Sequence, residues 1–198
     1  MKLKQKCQKR FLSIFFSMIL IFSMTVPVYG ATVNGFNYIA GDVLVTTSTS
    51  SKGLTGHAGI VHPNGKDIIH IAGPGYKPSV ISIKSWLSQY KSTKVVRHKN
   101  KTISYKAANW ALNYYINGTG KNTSYRITIN PKDRTYVYCS ELVWQSYYYG
   151  ANFTFKTPYI NPQGTISSYI IPNTIVPYHF TNAYAQKYNN FQTVKSIN

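Results

Sequence analysis

One cysteine of this chain lies at the start of a pattern that is typical of an α-helix. Cys139 follows a short β-branched and aromatic run, residues 135–138. Leu142 and Val143 then occur at helical spacing, and Gly150 predicts the end of the helix. Because the free N–H groups and the dipole at a helix N-terminus stabilise negative charge, the sequence predicts a nucleophilic thiolate at Cys139.

A thiol nucleophile needs a base, and the clearest hairpin signal in the chain carries histidines. Two apolar runs, His57–His62 and Asp67–Ala72, flank a turn that contains Asn64-Gly65. Asn-Gly between apolar runs favours a two-residue type I′ turn, in which both central residues have positive φ. The sequence therefore predicts two antiparallel strands joined at these two residues.

The turn also fixes which residues share a face of the hairpin. With Asn64-Gly65 as the loop, Ile60 lies opposite Ile69. Alternation along the strands then places His57 and His70 on one face as diagonal neighbours. His62 is predicted to point to the opposite face.

These positions assign chemical roles to three side chains. A thiol hydrolase needs a nucleophile, an imidazole that takes its proton and a group that orients the imidazole. We expect Cys139 to be the nucleophile and His57 the base, because His57 opens a strand beside a Gly-rich loop where substrate can enter. His70 is expected to orient His57 by accepting a hydrogen bond as the neutral imidazole. Gly59, between the two histidines, is expected to leave room beside them.

Two other roles for the polar residues are weaker. Glu141 could orient the imidazole, but two positions along a helix from Cys139 it is rotated by about 200°. A carboxylate at that position is instead expected to favour the first turn of the helix. A zinc site at His57, His62 and His70 is disfavoured because His62 faces away and carboxylates are scarce. The sequence therefore predicts no metal and no cofactor.

The N-terminus has the layout of a secretory signal peptide. Five basic residues precede an apolar run that begins at Phe11, and small residues precede Ala31. We therefore expect residues 1–30 to be a cleaved leader and 31–198 to be one secreted or cell-surface domain. Since the apolar run approaches spanning length, an uncleaved membrane anchor is the alternative. Cys7 precedes the apolar run and would leave with the leader.

The charge balance of the chain indicates an anionic environment. Lys and Arg total 22, of which five lie in the leader, so 17 remain against four acids, a formal charge of +13. An anionic cell wall or an acidic lipid surface fits this balance. Secretion and the absence of a recognition motif argue against nucleic acid.

The single remaining cysteine cannot form an internal disulfide, so it is an intermolecular bridge, an inert thiol or a reactive one.

The remaining hydrophobic pattern predicts an α+β domain in which an antiparallel sheet packs against the cysteine-bearing helix. Beyond residue 151 the chain is expected to form loops and short helical turns, with a frayed end after Tyr184. The other predicted elements are strands at 41–46, 80–83, 93–98 and 125–129, and helical segments at 85–90 and 103–117.

Four motifs resemble the permuted, NlpC-type papain-like cysteine hydrolases. They agree with that family in order and spacing, and they are Gly41–Leu44, Gly56–Val61, Ile69–His70 and Tyr138–Val143. The resemblance implies a permuted papain-like fold with a small barrel-like sheet. It also implies that Cys139 is the nucleophile, His57 the base and His70 the third, polar member of the site.

The resemblance implies hydrolysis or acyl transfer at an amide or ester bond. We therefore expect a secreted Cys-His-His amidase or peptidase, with peptides or peptidoglycan as candidate substrates. A lipid acyl hydrolase or acyltransferase is one alternative. Another is a non-catalytic cell-surface binding module, for which the 18 tyrosines would supply stacking surfaces. Alkylation of the thiol would abolish the activity of an enzyme and spare that of a binding module.

Overall fold

A six-stranded antiparallel sheet forms the centre of the fold, as seen in a computed structural model that describes residues 30–49 and 56–198. The sheet and the helices packed on it confirm the predicted α+β class. In order across the sheet, the strands are β12 (Phe191–Ile197), β7 (Thr93–His98), β3 (Val43–Thr46), β4 (His57–Val61), β5 (Asp67–His70) and β6 (Ser79–Ser82).

Among the described residues, three smaller strand pairs and four α-helices surround this sheet. The pairs are β1 (Gly30–Val33) with β2 (Phe36–Ile39), β8 (Ser124–Tyr125) with β9 (Tyr136–Val137), and β10 (Thr157–Ile160) with β11 (Ile166–Ile170). The α-helices are α1 (Ile83–Gln89), α2 (Lys101–Ala111), α3 (Cys139–Ala151) and α4 (Ala183–Tyr188). A π-helical turn (Leu112–Ile116) and two 3₁₀ helices (Thr119–Asn122, Pro177–Thr181) complete the elements. No helix among the described residues is long and apolar enough to cross a membrane.

The two faces of the central sheet pack against different helices. Ala58 and Ile60 belong to the core that includes α2 and α3. Val61 and Ile68 point the other way, into a second core that holds Trp86 of α1. The alternation along β4 and β5 therefore separates the layer of α3 from the layer of α1.

The β4–β5 hairpin has the predicted register but not the predicted turn. Ile60 pairs with Ile69, as expected. However, Gly65 has a φ of +71° whereas Asn64 does not lie at positive φ, so the turn is not type I′. The Gly65 N–H donates to the His62 carbonyl instead, which closes a turn centred on Pro63 and Asn64. Proline suits the first central position of a type I turn, and Gly65 then takes the left-handed conformation.

Several other sequence predictions need correction. The strand predicted at 125–129 ends at Tyr125, and a loop follows it. Beyond residue 151 the chain is more regular than expected, since it forms a strand pair, a helix and β12. The end is not frayed, because β12 pairs along β7 at the edge of the central sheet. The predicted leader, residues 1–30, lies outside the described residues except for its last residue, Gly30, which begins β1.

Candidate functional site

Cys139 is the first residue of α3, as its sequence context predicts. Tyr138 is the N-cap and has extended backbone dihedrals. The thiol is buried at the junction of α3 with the start of β4, where the Ala58 backbone N–H lies beside the sulfur. The backbone N–H groups of Cys139 and Ser140 contribute from the helix itself. The sulfur therefore faces three amide donors that can stabilise negative charge.

The resting protonation state of the thiol differs from the prediction. Burial raises the pKa of Cys139 above its ordinary value, although the backbone N–H of Ala58 and the Ser140 hydroxyl oppose this shift. The desolvation penalty for a buried thiolate exceeds the stabilisation that the helix N-terminus gives it. The expected preformed thiolate is therefore wrong for this state, in which Cys139 is a neutral thiol.

His57 and His70 contact each other directly, as the hairpin register predicts. The distance from His57 Nε2 to His70 Nδ1 is 2.9 Å, and both rings are buried. Burial, and secondarily the charge of His70, lowers the pKa of His57 to about 3. Burial lowers the pKa of His70 to about 4. Both rings are therefore neutral, and a single proton bridges them.

The neutral pair leaves one nitrogen of His57 able to act as a base. We assign the shared proton to His57 Nε2, which then donates to His70 Nδ1. In that tautomer His57 Nδ1 carries a lone pair and is free to accept a proton. With this assignment His70 accepts the hydrogen bond as a neutral ring.

Trp86 of α1 supports both histidines, a feature that the sequence analysis missed. The His57 ring stacks on Trp86 with centroids 5.1 Å apart and an interplanar angle of 19°, and His70 meets the same indole edge-on. A Cβ atom at Gly59 would lie 2.6 Å from the Ile68 side chain and 3.0 Å from Trp86. The room expected at Gly59 is thus occupied by the indole. The sequence predicted a helical segment at 85–90, which overlaps α1, but not the sheet face that this helix covers.

Cys139 and His57 line the same cavity, which has a volume of about 230 Å³. Tyr90 and Tyr125 also line it. The structure therefore places the predicted nucleophile and the predicted base on the wall of one cavity, while His70 lies behind His57 and does not line it. This cavity is the more polar of two that meet at the thiol, and we call it the polar cavity.

The other cavity at the thiol is mainly apolar and has a volume of about 310 Å³. It shares Gly56, Tyr125 and Cys139 with the polar cavity. Its remaining wall is formed largely by apolar side chains, among them Ile127, Ile175, Val176 and Pro177. We call it the apolar cavity. The sulfur of Cys139 therefore lies between an apolar and a polar compartment.

Tyr125 is a second residue of the site that sequence reasoning missed. The pairing of β8 with β9 places Tyr125 beside Val137, two residues before Cys139. Burial raises the pKa of Tyr125 to about 12, and the nearby thiol adds to this shift. Its hydroxyl is therefore protonated and can donate a hydrogen bond next to the sulfur. No local pattern predicts this contact, because it depends on a two-residue parallel pairing.

The remaining polar candidates lie outside the Cys–His–His cluster. His62 accepts a hydrogen bond from the Asn64 N–H in the hairpin loop, away from Cys139. Glu141 accepts from the Thr128 hydroxyl and does not contact His57. Within residues 30–49 and 56–198, no three His, Cys, Asp or Glu side chains are close enough to hold a metal ion.

The fold and the site define an α+β protein with a buried cysteine between two cavities, one of which a histidine also lines, and comparison with known proteins identifies its family. The profile of the family described as LnsA-like lipoprotein N-acylation proteins matches residues 6–194. The chain therefore belongs to this family. An uncharacterised 30.3 kDa protein of Bacillus thuringiensis is 31% identical over 160 residues, which cover 76% of this chain and 56% of that protein. The chain thus spans about half the length of this relative.

A solved structure shares the fold. The crystal structure of the metalloprotein yiiX from Escherichia coli O157:H7 superposes with a TM-score of 0.53 at 18% identity. The match covers 79% of this chain and 96% of that one. At this identity the likeness concerns the arrangement of helices and strands alone.

Proposed function

We propose that this protein is a cysteine-dependent acyl hydrolase or acyltransferase that removes an acyl group from a lipid ester. The observation that carries the proposal is the position of Cys139, whose sulfur lies between an apolar and a polar cavity. The apolar cavity suits an acyl chain, and the polar cavity suits the alcohol or amine partner. Membership of a family concerned with lipoprotein N-acylation supports a lipid acyl group over a peptide.

In the first step, the acyl group moves from oxygen to sulfur. The proton of the Cys139 thiol passes to His57 Nδ1 as the sulfur attacks the ester carbonyl. The tetrahedral intermediate then collapses, the C–O bond breaks, and His57 returns the proton to the leaving alcohol oxygen. The product is an acyl thioester on Cys139. Because both reactants start neutral, the reaction needs no resting ion pair.

In the second step, a nucleophile releases the acyl group. An amine or water attacks the thioester, and His57 takes the proton that the nucleophile loses. Collapse breaks the C–S bond, and His57 returns its proton to the sulfur, so the neutral thiol is restored. With an amine of a lipoprotein as acceptor the product is an N-acylated protein, and with water it is a free fatty acid.

Two donors at the sulfur suit the oxyanion of both steps. The backbone N–H of Cys139 lies at the N-terminus of α3, and the protonated Tyr125 hydroxyl lies beside the thiol. Donors fixed in a buried site stabilise a developing negative charge without reorganisation. We assign them to the carbonyl oxygen of the acyl group.

We further propose that the fold is a permuted papain-like one and that the protein acts outside the cytoplasm. The strands that carry His57 and His70 precede the helix that carries Cys139, and the sheet is antiparallel, which supports the first point. The basic and apolar pattern of residues 1–30 supports export. Sequencing of the secreted protein should begin near Ala31, whereas a sequence that begins at Met1 would favour a membrane anchor.

The proposal is tested by looking for the acyl-enzyme. The full chain and its Cys139→Ala variant are incubated separately with a diacyl phospholipid and with muropeptides, and both protein and products are analysed by mass spectrometry. We expect an acyl adduct on Cys139 that hydroxylamine removes, and no adduct on the variant. Cys7→Ala serves as the matched control, since that thiol lies in the predicted leader. Cleaved muropeptides without a lipid-derived adduct would instead support the amidase.

A further inference from the structure

The loop between β8 and β9, residues 126–135, exposes two large aliphatic side chains. Ile127 is 62% exposed and Ile129 is 80% exposed. Ile127 also lines the apolar cavity, as does Val176, which is 39% exposed. An exposed apolar patch that continues into a cavity is typical of a surface that meets another apolar phase. Here the patch adjoins the apolar cavity, which Cys139 also lines.

The β8–β9 loop is held in place by one face of α3. Glu141, Gln145 and Tyr149 are spaced by four residues, so their side chains lie in a row along the helix. All three bond the loop. The bonds are Thr128 Oγ1 to Glu141 Oε1 at 2.5 Å, Gln145 Nε2 to the carbonyls of Pro131 and Asp133 at 3.0 and 2.7 Å, and Tyr149 Oη to the Lys132 carbonyl at 2.6 Å.

This anchoring determines the direction of the isoleucines. Thr128 turns inward, where its carbonyl also accepts a hydrogen bond from the Thr174 hydroxyl. Its neighbours Ile127 and Ile129 are consequently held outward by the backbone. The anchored loop thus exposes two aliphatic side chains to solvent, while the polar side chain of Thr128 between them faces the protein.

The same loop is cationic. Arg126, Lys132 and Arg134 are exposed, against one acid, Asp133. Arg126 directly precedes Ile127 in the chain, and the guanidinium of Arg134 lies 4.8 Å from the ring centroid of Tyr149 on α3. Basic side chains next to aliphatic ones match the two layers of an anionic bilayer surface, head groups outside and acyl chains beneath.

We propose that the β8–β9 loop docks the protein on an anionic lipid bilayer. Ile127, Ile129 and Val176 enter the interface, while Arg126, Lys132 and Arg134, the three cations of the loop, contact the lipid phosphates. The mouth of the apolar cavity then opens onto the acyl-chain layer. The delivery of an acyl chain to Cys139 rests on the proposed function, whereas the docking itself does not.

Fluorescence quenching can test the docking in the full chain, whether or not its leader is attached to the membrane. A tryptophan is placed at the loop in Ile129→Trp and, as the matched control, at the β10 strand in Ile160→Trp, since Ile160 is 59% exposed and lines neither cavity at the thiol. Each variant is mixed with vesicles of phosphatidylcholine and phosphatidylglycerol that carry brominated acyl chains. We expect the Ile129→Trp emission to shift to shorter wavelength and to be quenched. For Ile160→Trp, the quenching and the spectral shift should be no larger than those of the wild type, whose native tryptophans set the background.

Two companion variants separate the causes. Adding Arg126→Gln, Lys132→Gln and Arg134→Gln to Ile129→Trp should remove most of the quenching, and so should vesicles of phosphatidylcholine alone. Adding Cys139→Ala should leave the quenching unchanged, which keeps docking distinct from catalysis. Equal quenching at positions 129 and 160, or none at 129, overturns the proposal. The same spectral shift with soluble polyglutamate and no lipid would assign the loop to an anionic polymer instead.

Discussion

The 2.9 Å contact between His57 Nε2 and His70 Nδ1 decides which nitrogen of the proposed base can react. With Nε2 engaged, His57 can receive a proton only at Nδ1. His70 does not line the cavity that holds Cys139, so it acts through His57 and not on a substrate. In the proposed reaction it is a positioning residue, and its loss should have a different signature from the loss of His57.

The first prediction concerns that signature. His70→Ala should lower kcat about 10- to 100-fold with little change in KM, because the His57 ring loses its orientation in the transition state. His70→Gln, which can still accept from His57 Nε2, should recover part of the loss. His57→Ala should be worse than either. His62→Ala is the control, and damage equal to that of His57→Ala would refute the assignment of the pair.

A second prediction concerns the pH dependence of thiol alkylation. Because burial raises the pKa of Cys139, iodoacetamide should react slowly at pH 6 and faster as the pH rises beyond the ordinary thiol range near 8.5. The measurement is best made in a Cys7→Ala background, so that one thiol reports. A fast reaction with a plateau below pH 6 would show a resting thiolate–imidazolium pair and contradict the neutral state.

The sequence predicts this site where local patterns are enough to place its residues. Register alone paired Ile60 with Ile69, and the pairing brought His57 to His70. The helix start at Cys139 followed from a local pattern as well. In both cases the determining interactions lie within a few residues along the chain.

The parts that the sequence did not reveal depend on distant pairings. Tyr125 reaches the sulfur through the parallel pairing of β8 with β9, and Trp86 reaches the histidines from a separate helix. The state of the Cys139 thiol was predicted wrongly for a related reason. Helix position is local, but desolvation depends on everything packed around the sulfur.

Gly59 allows a third prediction, on packing. A Cβ atom at this position would lie 2.6 Å from Ile68 Cγ2 and 3.0 Å from Trp86 Cζ3, so Gly59→Ala must displace one of them. We expect a loss of about 1 to 3 kcal/mol in the free energy of unfolding, typical of overpacking. Turnover should fall further than this loss explains, because Trp86 supports His57. Gly73→Ala, where a Cβ atom meets open space, is the control for the free energy of unfolding.

The histidine pair also makes stability depend on pH. The pKa values of His57 and His70 are lowered to about 3 and 4, whereas in the unfolded chain both are near 6.5. Between these limits the unfolded state binds more protons, so the free energy of unfolding falls as the pH falls below 6.5. Each histidine should therefore lower the free energy of unfolding by about 2 kcal/mol at pH 5 relative to pH 8. In urea unfolding, the double variant His57→Gln, His70→Gln should lose less stability between pH 8 and pH 5 than the wild type. An equal loss would contradict the buried neutral pair.

Glu141 is predicted to act in the opposite direction. Burial raises its pKa to about 8, so the folded state holds a proton that the unfolded state has lost above about 4.5. The stability from this group is fully present below pH 4.5 and is lost as the pH rises through 8. Glu141→Gln mimics the protonated acid and can still accept from the Thr128 hydroxyl, so it should be more stable than the wild type at pH 9 by about 2 to 4 kcal/mol.

Two substitutions of Glu141 can separate the effect of its charge from its role in anchoring the β8–β9 loop. Glu141→Ala removes the acceptor of Thr128 and should release the β8–β9 loop, which hydrogen exchange at the hydrogen-bonded amides of Arg126 and Asp133 would detect. In Glu141→Gln the protection factors of these amides, which compare exchange with that of an unprotected amide at the same pH, should not change with pH. In the wild type the protection factors should fall above pH 8, once a carboxylate must be accommodated in the buried site. If the wild type and Glu141→Gln respond identically to pH, Glu141 is not the group that titrates.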